Sequence, residues 1–205
     1  NTNADPDVGA SSPRRMRMSV VLPAPFGPIS PMIAGSTSSV TPSMATTRTP
    51  EPAATVEAVS VEMGPARVEG EQDFDVSGER LHAVRVNMGN PHAVLFDAPT
   101  RERAAAVGPS IERAVAGGVN VGFARPGPGG IDLVVWERGA GLTDACGTGA
   151  CAAAVAAVRG GAARAGVPVE VRLPGGALTI TVAADLGGVT MRGAAEHVFD
   201  GTTEL

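Results

Sequence analysis

The stretch Trp136–Cys151 reads WERGAGLTDACGTGAC and leads directly into an Ala/Val-rich segment that ends at Gly160-Gly161. Small and apolar residues over 148–159 predict a helix, and because they occupy all of its faces, the helix should be buried on every side. Cys146 then lies where the chain enters this helix. Unpaired N–H groups at a helix N-terminus attract carboxylates and lower the pKa of a thiol. The stretch therefore predicts a reactive cysteine beside an anion pocket.

Short strand-like runs punctuated by Gly and Pro lie on both sides of this helix. We predict strands at 56–65, in two runs of 81–96 around the turn Gly89-Asn90-Pro91, and at 119–123, 131–137, 169–173, 177–182, 189–191 and 197–199. A short helix is predicted over 109–116. The pattern favours an α+β fold in which a strand-rich, barrel-like sheet wraps around one central buried helix.

Residues 1–53 differ from the rest of the chain. Nine of the 17 prolines fall there, interleaved with Ser and Thr. Prolines at that spacing interrupt both helical and strand periodicity. We therefore predict a disordered or loosely extended segment over 1–53, not native to the fold, and a folded lobe over 54–205.

Composition excludes several classes of function. A net charge of −5, with five Phe, one Trp and no Tyr, provides neither a basic surface nor stacking platforms for nucleic acid. No apolar run reaches the roughly 18 to 20 residues that a membrane span requires. The two cysteines are five residues apart, which on one helix places their Cα atoms roughly 8 to 9 Å apart, beyond disulfide reach. Free thiols favour a reducing compartment, and we predict a cytoplasmic protein.

Cys146 is the residue best suited to chemistry. A thiol with an ordinary pKa of about 8.5 can both take and give a proton near neutrality. An isolated Cys-Gly is more often a packing residue than a catalyst. Here Glu137 offers a general-base partner, and Arg138 can bind a carboxylate through two hydrogen bonds. The N–H groups of 147–149 can bind an anion. Cys151, inside the helix, is interpreted as a packing residue.

Three motifs, in order along the chain, resemble those of diaminopimelate epimerases. They are Asn87–Val94, Gly118–Val121, and Glu137–Gly141 followed by Ala145–Ala152. The resemblance begins near residue 55 and continues to the end. It implies one lobe of an isomerase that works without pyridoxal phosphate, metal or any other cofactor. Such an enzyme inverts the α-carbon of LL-diaminopimelate to the meso form for lysine and cell-wall synthesis.

The resemblance also implies roles for individual residues. Cys146 would be one of two acid/base thiols, with Glu137 as its partner. His92 would contact the other cysteine, on the opposite side of the substrate. The backbone of Gly147 and Thr148 would meet the carboxylate at the reacting carbon, where charge develops as the proton leaves.

The remote end of the substrate would be bound by a separate set of side chains. Asn90, Asn120 and Arg138 would hold its amino-carboxylate group, and Glu137 would also face a substrate ammonium. His82 and His197 match no motif and are interpreted as surface or packing residues.

Inversion by proton transfer needs an acid/base group on each face of the carbon. The family's first lobe, with its own Cys-Gly-Asn-Gly motif, is expected ahead of residue 55, where this sequence has a segment without cysteine. We therefore expect a C-terminal lobe with impaired activity, completed by a missing N-terminal lobe or a homodimer partner. The alternatives are a relative of proline racemase or hydroxyproline epimerase, and a non-catalytic remnant or interaction module.

Overall fold

The computed structural model describes residues 15–22 and 57–204, with side chains described over 57–195. These residues form twelve strands and two helices. The elements are β1 (Arg15–Leu22), β2 (Ala58–Glu62), β3 (Arg67–Val76), β4 (Glu79–Asn87), β5 (Pro91–Leu95), α1 (Arg101–Ala114), β6 (Asn120–Gly127), β7 (Gly130–Glu137), β8 (Gly141–Thr143), α2 (Gly147–Arg159), β9 (Val169–Leu173), β10 (Gly176–Val182), β11 (Val189–Ala194) and β12 (Glu196–Glu204).

Ten strands form one mixed sheet in the order β2-β11-β10-β9-β7-β6-β5-β4-β3, with β8 paired to β7. The pairs β5–β6 and β7–β9 are parallel, and the others are antiparallel. The edge strands β2 and β3 do not pair with each other within the described residues, so the sheet is open. The predicted strand-rich α+β class is confirmed, whereas closure into a barrel is not seen.

Helix α2 forms the centre of one core. Every residue from Gly149 to Ala157 is buried, and the helix contacts strands β4–β7 and β9–β11. Because Ala and Gly residues are small, the sheet approaches the helix axis closely from several directions. The prediction of a helix buried on every side is confirmed, with the start at Gly147 instead of residue 148.

Helix α1 covers the opposite face of the sheet. Its buried side chains, which include Val107 and Ile111, pack with Phe123 in a second core. The side chain of Thr100 caps the helix by accepting a hydrogen bond from the backbone N–H of Arg103, 3.1 Å away. The predicted helix over 109–116 is wrong at its start, because Pro109 lies inside the helix and does not begin it. Pro109 has no N–H to donate, so one backbone hydrogen bond of the helix is missing. Packing of the other α1 side chains against the sheet compensates for this loss.

Two strands of the sheet are missing from the sequence prediction. In β3 a charged residue occupies every second position from Glu69 to Asp75, and these side chains face outward, so the run resembles a polar loop. Strand β8 has three residues and begins with a glycine, which is too short for a periodic signal.

The segment predicted as non-native lies mostly outside the described residues. Within it, Arg15–Leu22 forms strand β1, which pairs antiparallel with β12 in a separate two-stranded sheet. The proposed boundary between residues 53 and 54 stays a prediction. None of the helices in the described part of the chain is both long and apolar enough to span a membrane.

Candidate active site

Cys146 is the N-cap residue of α2, in extended conformation, and its carbonyl accepts the first helical hydrogen bond from the N–H of Ala150. The side chain is 7% exposed. A Cβ built on Gly149 would lie 3.0 Å from the Cys146 sulfur, so glycine lets the sulfur lie against the first turn without crowding. The sulfur is therefore held at the opening of a buried helix, as the sequence predicts.

The pKa of Cys146 is raised, not lowered. Burial is the largest cause and the negative charge of Glu137 the second, and together they raise the pKa to about 11. The backbone N–H of Gly149 and the hydroxyl of Thr148 act in the opposite direction but are outweighed. The expected lowering of this pKa by the helix N-terminus is therefore wrong, and near neutral pH Cys146 is a thiol.

Glu137 lies at the end of β7, close enough to Cys146 to interact with its side chain. Its Oε1 accepts a hydrogen bond from the hydroxyl of Thr143 at 2.5 Å, across the β7–β8 hairpin. This hydrogen bond fixes the carboxylate to the neighbouring strand. The sequence does not identify Thr143 as a site residue, although it lies within residues 136–151.

A chain of hydrogen bonds connects His92 to the Cys146 sulfur. The Nε2–H of His92 donates to Asn90 Oδ1 at 3.0 Å, and Asn90 Nδ2 donates to Thr148 Oγ1 at 3.2 Å. Thr148 Oγ1 is 3.7 Å from the Cys146 sulfur. Since the Thr148 oxygen already accepts from Asn90, its own proton is free to donate to sulfur.

His92 is buried on β5 and 1% exposed. Burial, assisted by the positive charge of Arg138, lowers its pKa to about 4. The imidazole is therefore neutral near neutral pH and donates through Nε2 in this chain of hydrogen bonds.

Asn120 and Arg138 form a second connected group. Asn120, 4% exposed, accepts a hydrogen bond from the backbone N–H of Arg138 at 2.9 Å, and its Nδ2 donates to the carbonyl of Pro91 at 3.0 Å. It therefore ties the turn that carries Glu137-Arg138 to the turn that carries Asn90. Each end of the Asn120 amide already has a partner, so a substrate would have to share these groups.

The Arg138 side chain extends along the turn that follows α1. Its Nη1 donates to the carbonyl of Gly117 at 3.0 Å, and a Cβ on Gly118 would lie 2.7 Å from its Cδ. Gly118 also has φ of +76°, so two constraints require glycine there. Beside Arg138 lies an open depression of about 450 Å³, whose lining comes from the end of α1, the turn after it and the loop 138–139.

The remaining candidates divide into those near the site and those apart from it. Gly147 lies at the start of α2, where a Cβ would be 3.1 Å from the Met191 sulfur. Cys151 is a free, fully buried thiol whose pKa is raised to about 12, mainly by burial. His82 is exposed and hydrogen-bonded to Asp73 on the outer sheet surface, as predicted. The side chain of His197 lies outside the described residues.

The amino-acid sequence of the chain matches one family of known proteins. A profile of the family described as diaminopimelate epimerase matches residues 84–198. The chain is 41% identical to a diaminopimelate epimerase of Stutzerimonas stutzeri over 167 residues, which covers 72% of this chain and 58% of that protein. It is 48% identical to one of Sphingopyxis alaskensis over 139 residues, covering 65% of this chain and 50% of that protein. The chain thus spans little more than half the length of these curated relatives.

A solved structure shares the fold at much lower sequence identity. It is a hydroxyproline epimerase from Agrobacterium vitis with bound trans-4-hydroxy-L-proline, with a TM-score of 0.55 and 17% identity. The match covers 73% of this chain and 53% of the other. At this identity the likeness shows the fold alone.

Proposed function

Because the chain belongs to the diaminopimelate epimerase family, we propose that its described residues form one half of a cofactor-independent epimerase site acting on diaminopimelate. The observation that carries the proposal is the placement of the Cys146 sulfur at the N-terminus of α2, in contact with Glu137 and Thr148. This placement gives one thiol both a carboxylate partner and the backbone N–H groups of a helix N-terminus.

The proposed chemistry moves one proton at the α-carbon. One group on one face removes the α-proton as a base, and a second group on the other face delivers a proton to the resulting carbanion. Because its pKa is raised to about 11, Cys146 rests as a thiol and is the group that delivers. Its S–H bond breaks as the new C–H bond forms, and the sulfur is left as a thiolate. In the reverse direction this thiolate removes the proton.

The two sets of neighbours of the sulfur favour opposite protonation states. The carboxylate of Glu137 favours the thiol, whereas the Thr148 hydroxyl and the Gly149 N–H favour the thiolate. A group that must both give and take a proton needs support in both states. The α-carboxylate of the substrate, on which charge develops, would lie at the N–H groups of Gly147 and Thr148.

The remote amino-carboxylate end would be bound beside Arg138. The guanidinium lines the depression next to α1, and one of its nitrogens is already fixed by the Gly117 carbonyl. Asn90 and Asn120 would contribute through the amide hydrogens that their internal partners leave free, and Glu137 would face the substrate ammonium. His92 is proposed to act through Asn90 and towards the group on the opposite face.

The second acid/base group would come from outside the described residues. In the described part of the chain Cys151 is the other thiol, and it is fully buried within α2. We propose that a further lobe or a second polypeptide supplies the group. We also propose that it covers the open side of the sheet, so that the sheet wraps around the helix as a barrel. The protein is proposed to act in the cytoplasm. The sheet already surrounds α2 from seven strands, which supports the wrapped arrangement.

Protection of Cys146 from alkylation tests the substrate assignment. Diaminopimelate should slow the labelling of Cys146, located by peptide mapping, and proline should not, since a bound ligand covers the thiol. Arg138→Gln should weaken protection by diaminopimelate, while Arg164→Gln, an exposed arginine away from the site, should not. Equal protection by proline, or none by diaminopimelate, contradicts the proposal.

Turnover in deuterated water tests the half-site separately. The pure chain incubated with LL-diaminopimelate should give slow or no inversion and little α-deuterium, because one face of the carbon has no partner. Rapid inversion by the chain alone at a concentration where it is monomeric, abolished by Cys146→Ser, would contradict the half-site proposal.

A further inference from the structure

Two residues of α1, Gly108 and Glu112, contact the end of β7 and the turn after it, which carry Glu137-Arg138. They are four residues apart on α1 and therefore lie on the same face of the helix. That face is turned towards Trp136, the residue immediately before Glu137. Neither residue belongs to any of the motifs that carry the family resemblance.

Glu112 binds on both sides of the Glu137-Arg138 pair. Its Oε2 accepts a hydrogen bond from the Trp136 indole N–H at 2.7 Å, and its Oε1 accepts one from the backbone N–H of Gly139 at 2.9 Å. Both bonds lower the pKa of Glu112, so the carboxylate is ionised at neutral pH. Hydrogen bonds to an ionised acceptor are stronger than those between neutral groups.

The indole of Trp136 is also held by close packing against α1. A Cβ on Gly108 would lie 2.5 Å from Trp136 Cγ, so the ring packs directly against the helix backbone. On the other side of the loop, Gly139 adopts φ of +77°, and the turn closes through a hydrogen bond from the Ala140 N–H to the Glu137 carbonyl. In this conformation the turn directs the Gly139 N–H to Glu112.

We propose that Glu112 is a positioning residue that fixes the Glu137-Arg138 pair by binding the residue before it and the residue after it. A rigid helix thereby sets the position of the Glu137 carboxylate relative to the Cys146 sulfur. The inference rests on the proposed role of Glu137, but its tests need neither substrate nor turnover. They remain informative if the assignment to diaminopimelate fails.

Glu112→Gln is the direct test, because it keeps the size of the side chain and replaces one acceptor oxygen by a donor. Trp136 is the single tryptophan of the sequence, so its indole N–H gives one assigned NMR resonance. We expect this resonance to shift in the variant. We also expect Cys146 to be alkylated about threefold faster at a fixed pH near neutrality, equivalent to about half a pKa unit, as Glu137 moves away from the sulfur.

Glu102→Gln is the matched control, since it removes the same charge from an exposed position in the first turn of α1. It should change neither measurement. The double variant Glu112→Gln/Glu137→Gln should be alkylated no faster than Glu137→Gln alone, because both changes act through the same carboxylate.

Several results overturn the inference. An indole shift without any change in alkylation would make Glu112 an anchor for Trp136 alone. Equal effects of Glu102→Gln would indicate long-range charge instead of positioning. Should Glu112→Gln fail to fold, Trp136→Phe is the second variant. It removes the indole N–H but leaves the hydrogen bond between Gly139 and Glu112, so it should raise the alkylation rate by a smaller factor. An unchanged rate in that variant would contradict the inference.

Discussion

Replacing Thr148 by valine tests whether its hydroxyl stabilises the thiolate of Cys146. Valine has nearly the same shape but can neither donate to the sulfur, 3.7 Å away, nor accept from Asn90. The reaction proposed for this site leaves Cys146 as a thiolate at the end of the proton transfer. The loss of a donor should therefore raise the pKa of the thiol further.

The magnitude follows from the geometry. A hydrogen bond to a charged group contributes about 1.5 to 3 kcal/mol. Thr148 is partly exposed and the contact to sulfur is long, so we take about 1 kcal/mol, which corresponds to about 0.7 pKa unit. Below the pKa the thiolate fraction falls tenfold for each unit by which the pKa rises. Alkylation of Cys146 should therefore slow about fivefold in Thr148→Val at the same pH.

The assay is the rate of iodoacetamide labelling of Cys146 at several pH values well below its pKa, resolved from Cys151 by peptide mapping. Thr148→Ser is the matched control, because it keeps the hydroxyl and should label at nearly the wild-type rate. Identical rates for Thr148→Val and wild type at every pH would refute the argument that this hydroxyl supports the thiolate. Equal slowing in both variants would attribute the effect to packing.

Three further predictions concern the surroundings of the sulfur. Glu137→Gln removes the charge that raises the thiol pKa, so the same labelling should become faster, and slower labelling would contradict the assigned direction. Gly108→Ala should lower the free energy of unfolding in urea by about 1 to 3 kcal/mol through overpacking against Trp136, whereas Gly188→Ala, where the new methyl meets no atom within 4 Å, should not. The pKa of His92 is lowered to about 4 on folding, so stability should be fully present above about pH 6.5 and fall by about 3 kcal/mol as the pH drops to about 4. His92→Asn should abolish that part of the pH dependence, and an unchanged profile would contradict the buried neutral imidazole.

Much of the fold is predictable from the sequence because its strongest signals are local. The run of Ala and Val from Gly149 to Ala157 is buried on all sides, and only a helix in the centre of a core explains such a composition. The glycine and proline punctuation likewise defines most strands. The start of α1 is not predictable in this way, because Pro109 is a local signal for a helix start that tertiary packing overrides.

The residues of the site show the same difference between local sequence signals and tertiary structure. Residues within one motif, such as Cys146 and Thr148, are brought together by a single helix start, so sequence spacing suffices to predict their contact. Glu112 and Thr143 reach the site only through tertiary structure, the first from the helix on the other face of the sheet and the second across a hairpin. Glu112 has no distinctive neighbourhood in the sequence, and the position of Thr143 inside the motif does not show that it faces Glu137. The direction of the Cys146 pKa shift is unpredictable for a related reason, since it depends on how completely the fold removes the sulfur from water.

If Cys146 acts as proposed, its raised pKa constrains the group on the opposite face of the substrate. Two acid/base groups that exchange roles must start in opposite protonation states, because a pair of thiols has no base and a pair of thiolates has no acid. A resting thiol at Cys146 therefore requires its counterpart to be deprotonated before the first proton moves. The neutral His92 cannot supply positive charge to stabilise such an anion, since burial keeps it unprotonated above about pH 4. It can offer only a hydrogen bond. In the proposed site the counterpart would then be stabilised as an anion by groups of its own, and the resting charges on the two faces of the substrate would differ.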